Sequence, residues 1–168
     1  MLRKEVNEID STKGLPEELF LEISTLIPIP NVDLFILDDL GRVLLTRRDD
    51  VFFGKGWHLP GGCIRFKETM LERVRKTALS ELGCSVRMDE EPLTIKDVII
   101  KNNRKELTNQ NLRAHQLSVL YRCYVVDAND KLQHMIKNNE AGWFKRIPKD
   151  ILAVHDVYRD VFEKYHLL

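Results

Sequence analysis

The chain has 168 residues, 43% of them hydrophobic and 31% charged, with 26 basic side chains against 26 acidic ones. That is enough chain for one domain with a proper hydrophobic core. A net charge of zero gives no global field to gather nucleic acid or an anionic membrane, so any anion site has to be local. The three cysteines, Cys63, Cys84 and Cys123, are far apart and form no CxxC pair. They indicate neither a zinc site nor a disulfide framework, and they fit a reducing, cytoplasmic setting. The first ten residues, MLRKEVNEID, lack the apolar stretch of a signal peptide. No apolar run approaches the roughly 18 residues that span a bilayer.

In chain order, residues 16–26 read as a short helix opening on proline and acids, as helix starts prefer. Residues 32–37 and 42–47 are β-rich runs on either side of Asp38-Asp39-Leu40-Gly41, which predicts a hairpin. The Pro60-Gly61-Gly62 turn follows, and then a helix from about Lys67. Residues 92–101 and 115–126 are further strand candidates, separated by a long polar loop over 102–114 of the kind that often carries function. Residues 149–166 read as a C-terminal helix. The whole is an α+β pattern with a mixed sheet and helices against it. It forms one domain over 1–168, with a helical extension over about 1–28.

The segment from Trp57 to Cys84 carries the most information. Paired glycines let a ligand approach the main chain closely. In the helix, Leu71, Val74, Ala78 and Leu82 recur at three- and four-residue steps and form one buried stripe. Gly83 then ends the helix as a left-handed cap. Glu81 falls roughly 80° from the centre of the stripe, where the helix meets the sheet or loop above it. A carboxylate placed beside a glycine turn can hold a hard divalent cation. On helix geometry alone, a half-exposed glutamate without a role is the commoner case.

The same segment resembles the signature of the Nudix hydrolase family: Gly, five residues, Glu, seven residues, then Arg-Glu-U-x-Glu-Glu-x-Gly-U, with U a bulky aliphatic residue. Gly62 matches the first glycine, Glu68 the first glutamate, Glu81 the last glutamate and Gly83 the last glycine, all at full spacing. Lys76 stands for the arginine, Thr77 and Ser80 replace two metal-binding glutamates, and Cys84 replaces the last aliphatic residue. Asn139-Glu140-Ala141-Gly142-Trp143-Phe144 resembles the family's late acidic-then-aromatic segment. A signature that keeps only its final glutamate is similar to the GDP-mannose mannosyl hydrolase branch. In that branch Asp33 would be a sugar-side acid, and Arg47 and Arg48 would stand at a lysine and a diphosphate-binding arginine. Cys63 occupies the place of a further phosphate-binding arginine.

The resemblance implies an α/β/α sandwich with a mixed β-sheet and a Mg²⁺-dependent activity, Mn²⁺ being an alternative. Gly62 and Glu81 would be the metal ligands, and Glu68, Lys76 and Gly83 the structural part of the signature. The implied reaction is hydrolysis of a nucleoside diphosphate sugar such as GDP-mannose. Water would attack the anomeric carbon and nucleoside diphosphate would leave. Two alternatives stay open: cleavage of another nucleoside diphosphate derivative at phosphorus, and a Nudix domain that binds a ligand without turning it over. The branch's catalytic base is a histidine before the late aromatic segment, a position that counts to Asn138. The candidates near it in function are His134, His115 and Glu140, while His58, between Trp57 and Leu59, reads as a packing residue. The expected partner is a small nucleotide derivative, with neither nucleic acid nor membrane, and a homodimer is plausible by resemblance.

Overall fold

The computed structural model describes residues 8–100 and 111–168. Most of the loop read over 102–114 therefore lies outside the described residues, as do Met1–Asn7. After a single turn at Ser11–Lys13, helix α1 spans Glu17–Ile23. Strands β1 (Ile29–Ile36), β2 (Val43–Asp50), β3 (Gly54–His58) and β4 (Gly61–Cys63) follow. Then come helix α2 (Met70–Thr77), β5 (Cys84–Met88), β6 (Thr94–Ile99) and β7 (His115–Ala128). The described chain closes with α3 (Asp130–Lys137), β8 (Ala141–Phe144) and α4 (Arg159–Lys164).

Two sheets result. The first is mixed and runs β4-β1-β7-β5, with β6 beside β5 along the same edge of β7; β1 and β7 are parallel and every other pair is antiparallel. The second is antiparallel, in the order β3-β2-β8. Alternate residues of β1 serve two cores, as the period-two geometry of a strand requires. Val32, Leu34 and Ile36 face Val74, Ala78 and Leu82 of the α2 segment. Phe35 and Leu37 face Tyr158, Val161 and Phe162 near the C-terminus. Asn31 and Asp33 lie on that second face, and both are buried.

The predicted hairpin over 32–47 is corrected. Beyond one isolated bridge, Leu37 to Val43, β1 and β2 do not pair, and they belong to different sheets. The Asp38 carboxylate does make a tight turn, accepting from the Leu40 and Arg42 amides at 3.0 and 2.8 Å. However, most of β1 and the first half of β2 are buried on both faces, so each needs cover on two sides and they join different sheets. The true hairpin is β2–β3, closed by residues 51–53.

Helix α2 starts at a capping box between Thr69 and Glu72 rather than at Lys67, whose φ of 59° is left-handed. Its last turn, Ala78–Leu82, widens to a π-helix and stops at Gly83, where φ is 65°. A Cβ at Gly83 would stand 2.3 Å from Asn129 Oδ1, the oxygen that caps α3. The C-terminal helix is also shorter than read. Residues 150–152 are tied to Trp57 in extended form by amide bonds of 2.9 and 2.8 Å. The helix therefore starts as a 3₁₀ segment, Ala153–Tyr158, and becomes α4 afterwards. Among the described residues no helix is long and apolar enough to cross a membrane.

Candidate active site

A cleft of about 430 Å³ opens between the two sheets, and the glycine turn, β2 and the π-helical turn of α2 converge on it. Of the residues singled out from sequence, Asp33, Arg47, Arg48, Gly62, Cys63 and Glu81 all line it. The fold brings them together because β1 and β4 are antiparallel partners, with Asp33 opposite Gly61 and Val32 opposite Gly62. That pairing requires glycine: a Cβ at Gly61 would lie 2.3 Å from Asp33 Oδ1, and one at Gly62 would lie 2.7 Å from Thr77 Oγ1.

Glu81 sits on the π-helical turn, a geometry common at functional sites. It is half-buried. Burial pushes its carboxyl up to about 7, moderated by the Arg48 guanidinium and the Gly61 amide. Asp33 is buried deeper and accepts from Ser118 Oγ at 2.6 Å, Tyr158 OH at 2.7 Å and Asn31 Nδ2 at 3.0 Å. Desolvation raises its carboxyl above the usual range, and those three donors pull in the opposite direction. Two carboxyls and three arginines, Arg47, Arg48 and Arg113, thus share one cleft, and Arg48 is the arginine that acts on both carboxyls. Arg48 pairs with Asp50 and lies 4.5 Å from the centre of the Phe53 ring. Arg47 pairs with Asp150 at 2.6 Å and lies over Trp57 at 4.1 Å.

Glu68 and Lys76 hold α2 in place. Glu68 keeps only 4% of its side chain exposed. It accepts two bonds from Arg73, at 2.7 and 2.8 Å, and pairs with Lys76 at 2.9 Å. The Arg73 bonds are the main reason its carboxyl is drawn down to about 2. Sequence comparison set Lys76 at the arginine position. The structure shows that the bidentate bond comes from Arg73, one turn earlier.

The structure does not bring the three candidate bases into the cleft. His134 is exposed on α3, not in a loop, and its ring nitrogen meets Asn138 Nδ2 at 2.9 Å. His115 faces Asp97 at 3.5 Å and lines a separate cavity of about 270 Å³ near residues 24–28. Glu140 is exposed, and its main-chain carbonyl accepts from the Arg47 amide at 2.7 Å. Two other histidines do line the cleft. His58 bonds Thr46 Oγ1 at 3.1 Å, and His155 Nε2 accepts from the Leu59 amide at 3.2 Å. Burial depresses both to about 3, so both are neutral. His155 Nδ1 is buried without a partner among the described residues. Sequence reading missed His155 and Arg113, another cleft residue. Both come from segments far from the Trp57–Cys84 signature.

The donors suit one cation. The Glu81 carboxyl and the carbonyl groups of the glycine turn are hard oxygens, and the unpartnered Thr77 hydroxyl is buried against Gly62. Among the described residues no group of three His, Cys, Asp or Glu side chains could hold a metal ion. A single carboxylate fits a Mg²⁺ ion that keeps most of its water and shares a substrate's phosphates, rather than a multi-metal cluster.

No family model matches the chain, and no curated protein matches it. Solved structures do match. The chain superposes on a UDP-X diphosphatase with a TM-score of 0.55 and 18% identity, over 90% of this chain and 70% of that one. A Nudix hydrolase from Nitrosomonas europaea gives 0.57 and 21%, over 83% and 72%. A protein from Jonesia denitrificans, described as a possible asymmetric diadenosine tetraphosphate hydrolase, gives 0.59 and 16%, over 85% and 98%. At these identities the likeness is one of fold, and the fold is that of Nudix hydrolases: a mixed α+β sandwich.

Proposed function

We propose that the chain is a Nudix-type, Mg²⁺-dependent hydrolase of a nucleoside diphosphate derivative, with a nucleotide sugar of the GDP-mannose kind as the first substrate class. One observation carries this: Glu81, Arg48 and the Gly61–Gly62 turn meet in one cleft with a buried acid, Asp33, beside them. The UDP-X diphosphatase and the Nudix hydrolases that share the fold support the broader class.

Each group has a task. Arg48 and, at the rim, Arg47 present guanidinium forks that match phosphate oxygens. Glu81 and the glycine turn would hold a Mg²⁺ ion beside them, which would supply charge neutralisation to a departing diphosphate. Asp33 is fixed by its three donors and is placed to accept from a hydroxyl group. The arginines and the cation position are arranged to stabilise departure of the nucleoside diphosphate. That suits an oxocarbenium-like transition state at the anomeric carbon.

A second reading has its own support. A Glu81 carboxyl near 7 is matched to accept a proton from water at neutral pH, which fits attack at phosphorus. Hydrolysis of a nucleotide-sugar panel with Mg²⁺ in ¹⁸O-labelled water decides between the two. Label in the free sugar supports attack at carbon; label in a phosphate supports attack at phosphorus. Ligand binding without turnover, indifferent to Glu81→Gln, would leave a binding domain instead. A cytoplasmic setting and a homodimer belong to the same proposal, and sedimentation checks the dimer.

A further inference from the structure

Arg113, two residues before β7, lines the cleft. Its guanidinium carbon lies 5.4 Å from the ring centre of Phe20, 5.3 Å from that of Phe52 and 5.1 Å from that of Phe53. Phe20 belongs to α1, and α1 is followed at once by Ser24, whose hydroxyl accepts from the Arg113 amide at 2.9 Å. The residue is held with φ at +54°, a left-handed value that a long side chain adopts only when its surroundings impose it.

The rings grip the stem and plane of the guanidinium but satisfy none of its N–H groups in their plane. Nε is buried with no hydrogen-bond partner, and no carboxylate pairs with Arg113 among the described residues. Arg47, Arg48 and Arg73 of the same neighbourhood each have an acid. An arginine that served only to glue α1 to the loop would spend its donors on carbonyls or carboxylates, because an unmet buried donor is destabilising. Cys63, whose thiol burial pushes up and leaves neutral, and the like charge of Arg48 both act on it; Asp50 and Glu17 offset its charge, but neither forms an ion pair with it. Three arginines line one cleft, and one of them has no ion-pair partner among the described residues; an anion with two charged groups completes that arrangement.

We propose that Arg113 is a further diphosphate-binding arginine, brought to the cleft just before β7 and kept in place by three phenylalanines, one from α1. It deepens the reading of the cleft as a diphosphate site and rests on it. It assigns the N-terminal helix a part in ligand binding, and it places a cation beside Cys63, where the glycine turn itself carries none.

The test uses the full chain and inorganic pyrophosphate with Mg²⁺, titrated calorimetrically against wild type, Arg113→Met, Arg113→Lys and Phe20→Leu, with melting temperatures recorded for each. Arg113→Met keeps the stem and loses the fork, and it weakens pyrophosphate about 10- to 100-fold, the range of a lost charge-assisted hydrogen bond. Arg113→Lys recovers part of that loss, and Phe20→Leu, which loosens the grip but keeps the charge, costs less. Should the Met variant not fold, Arg113→Gln replaces it. Pyrophosphate affinity within twofold of wild type in the Met or Gln variant overturns the proposal, and so does wild type that binds no pyrophosphate. Turnover of the nucleotide-sugar panel is measured on the same protein. Pyrophosphate binding that needs Arg113, with no turnover, upholds this residue's role and sinks the hydrolase reading. Turnover that is indifferent to Arg113 does the reverse.

Discussion

Replacing Glu81 with glutamine should make the protein more stable at neutral pH and abolish the proposed hydrolysis. In the fold the Glu81 carboxyl titrates at about 7 against an ordinary 4.5. Between those values the folded chain holds a proton that the unfolded chain has lost, so stability falls as pH rises through the window. A gap of about two and a half pH units corresponds to at most about 3 kcal/mol. Glu81 is partly exposed, and solvent screening reduces this to about 1–2 kcal/mol. For a chain of this size that is about 2–8 °C in melting temperature. Glutamine carries no such penalty. Thermal melts of wild type and Glu81→Gln across pH 4–8 should show the variant melting higher above about pH 7 and the gap closing below about pH 4.5. Added Mg²⁺ should stabilise wild type and leave the variant unmoved, since only a state that binds the ion gains from it. A variant that melts lower than wild type at pH 8, or a gap that does not change with pH, would refute the assignment of Glu81 as a desolvated, cation-seeking acid.

Arg73→Met strands a nearly buried Glu68 with Lys76 alone. It should cost about 3 kcal/mol, seen as a drop of about 6–12 °C, whereas Arg75→Met on the exposed side of α2 should barely move the melt. Gly61→Ala drives a methyl to within 2.3 Å of Asp33 Oδ1 and separates β4 from β1. A displacement of this kind costs about 100-fold in kcat/KM where geometry governs the chemistry. The cleft histidines, one buried and one half-buried, predict acid sensitivity. His58 and His155 titrate near 3 in the fold against 6.5 otherwise, so the stability they lend is complete above pH 6.5 and is lost as pH falls toward 3. Urea unfolding of wild type and His155→Gln at pH 7.5 and 5 should show the variant losing less on acidification.

The helix of the signature was legible because its stripe, its glycine stop and Glu81 are all local: Val74, Ala78 and Leu82 do form the buried face. The α+β class and the long strands over 94–99 and 115–128 followed from equally local runs. What the sequence hid was decided by distant pairing. The turn at Asp38–Gly41 looks like a hairpin because a tight turn and two apolar runs are all that local residues reveal; which sheet each run joins depends on β7 and β8, some 80–100 residues on. Arg73 escaped notice as the partner of Glu68 because a fixed pattern pointed to Lys76. Both residues lie within reach of that carboxylate, and only the geometry shows which presents the fork. The cleft histidines reversed the sequence ranking for a similar reason. His58, read as packing, does pack, yet it also lines the cleft; His134, named as a candidate base, lies on α3 away from it. Arg113 had no local signal at all, since its three aromatic neighbours come from α1 and from residues 51–53.

Strand β7 pairs with β1 on one side and with both β5 and β6 on the other. Three strands of the main sheet therefore depend on a partner that the ribosome delivers late. Ile29 must wait for Gln116 before its ladder can close, and loop entropy makes such distant closure slow. During synthesis β1 is an apolar ribbon without its central neighbour, so a chain stalled before residue 115 presents a surface that chaperones would be expected to cover.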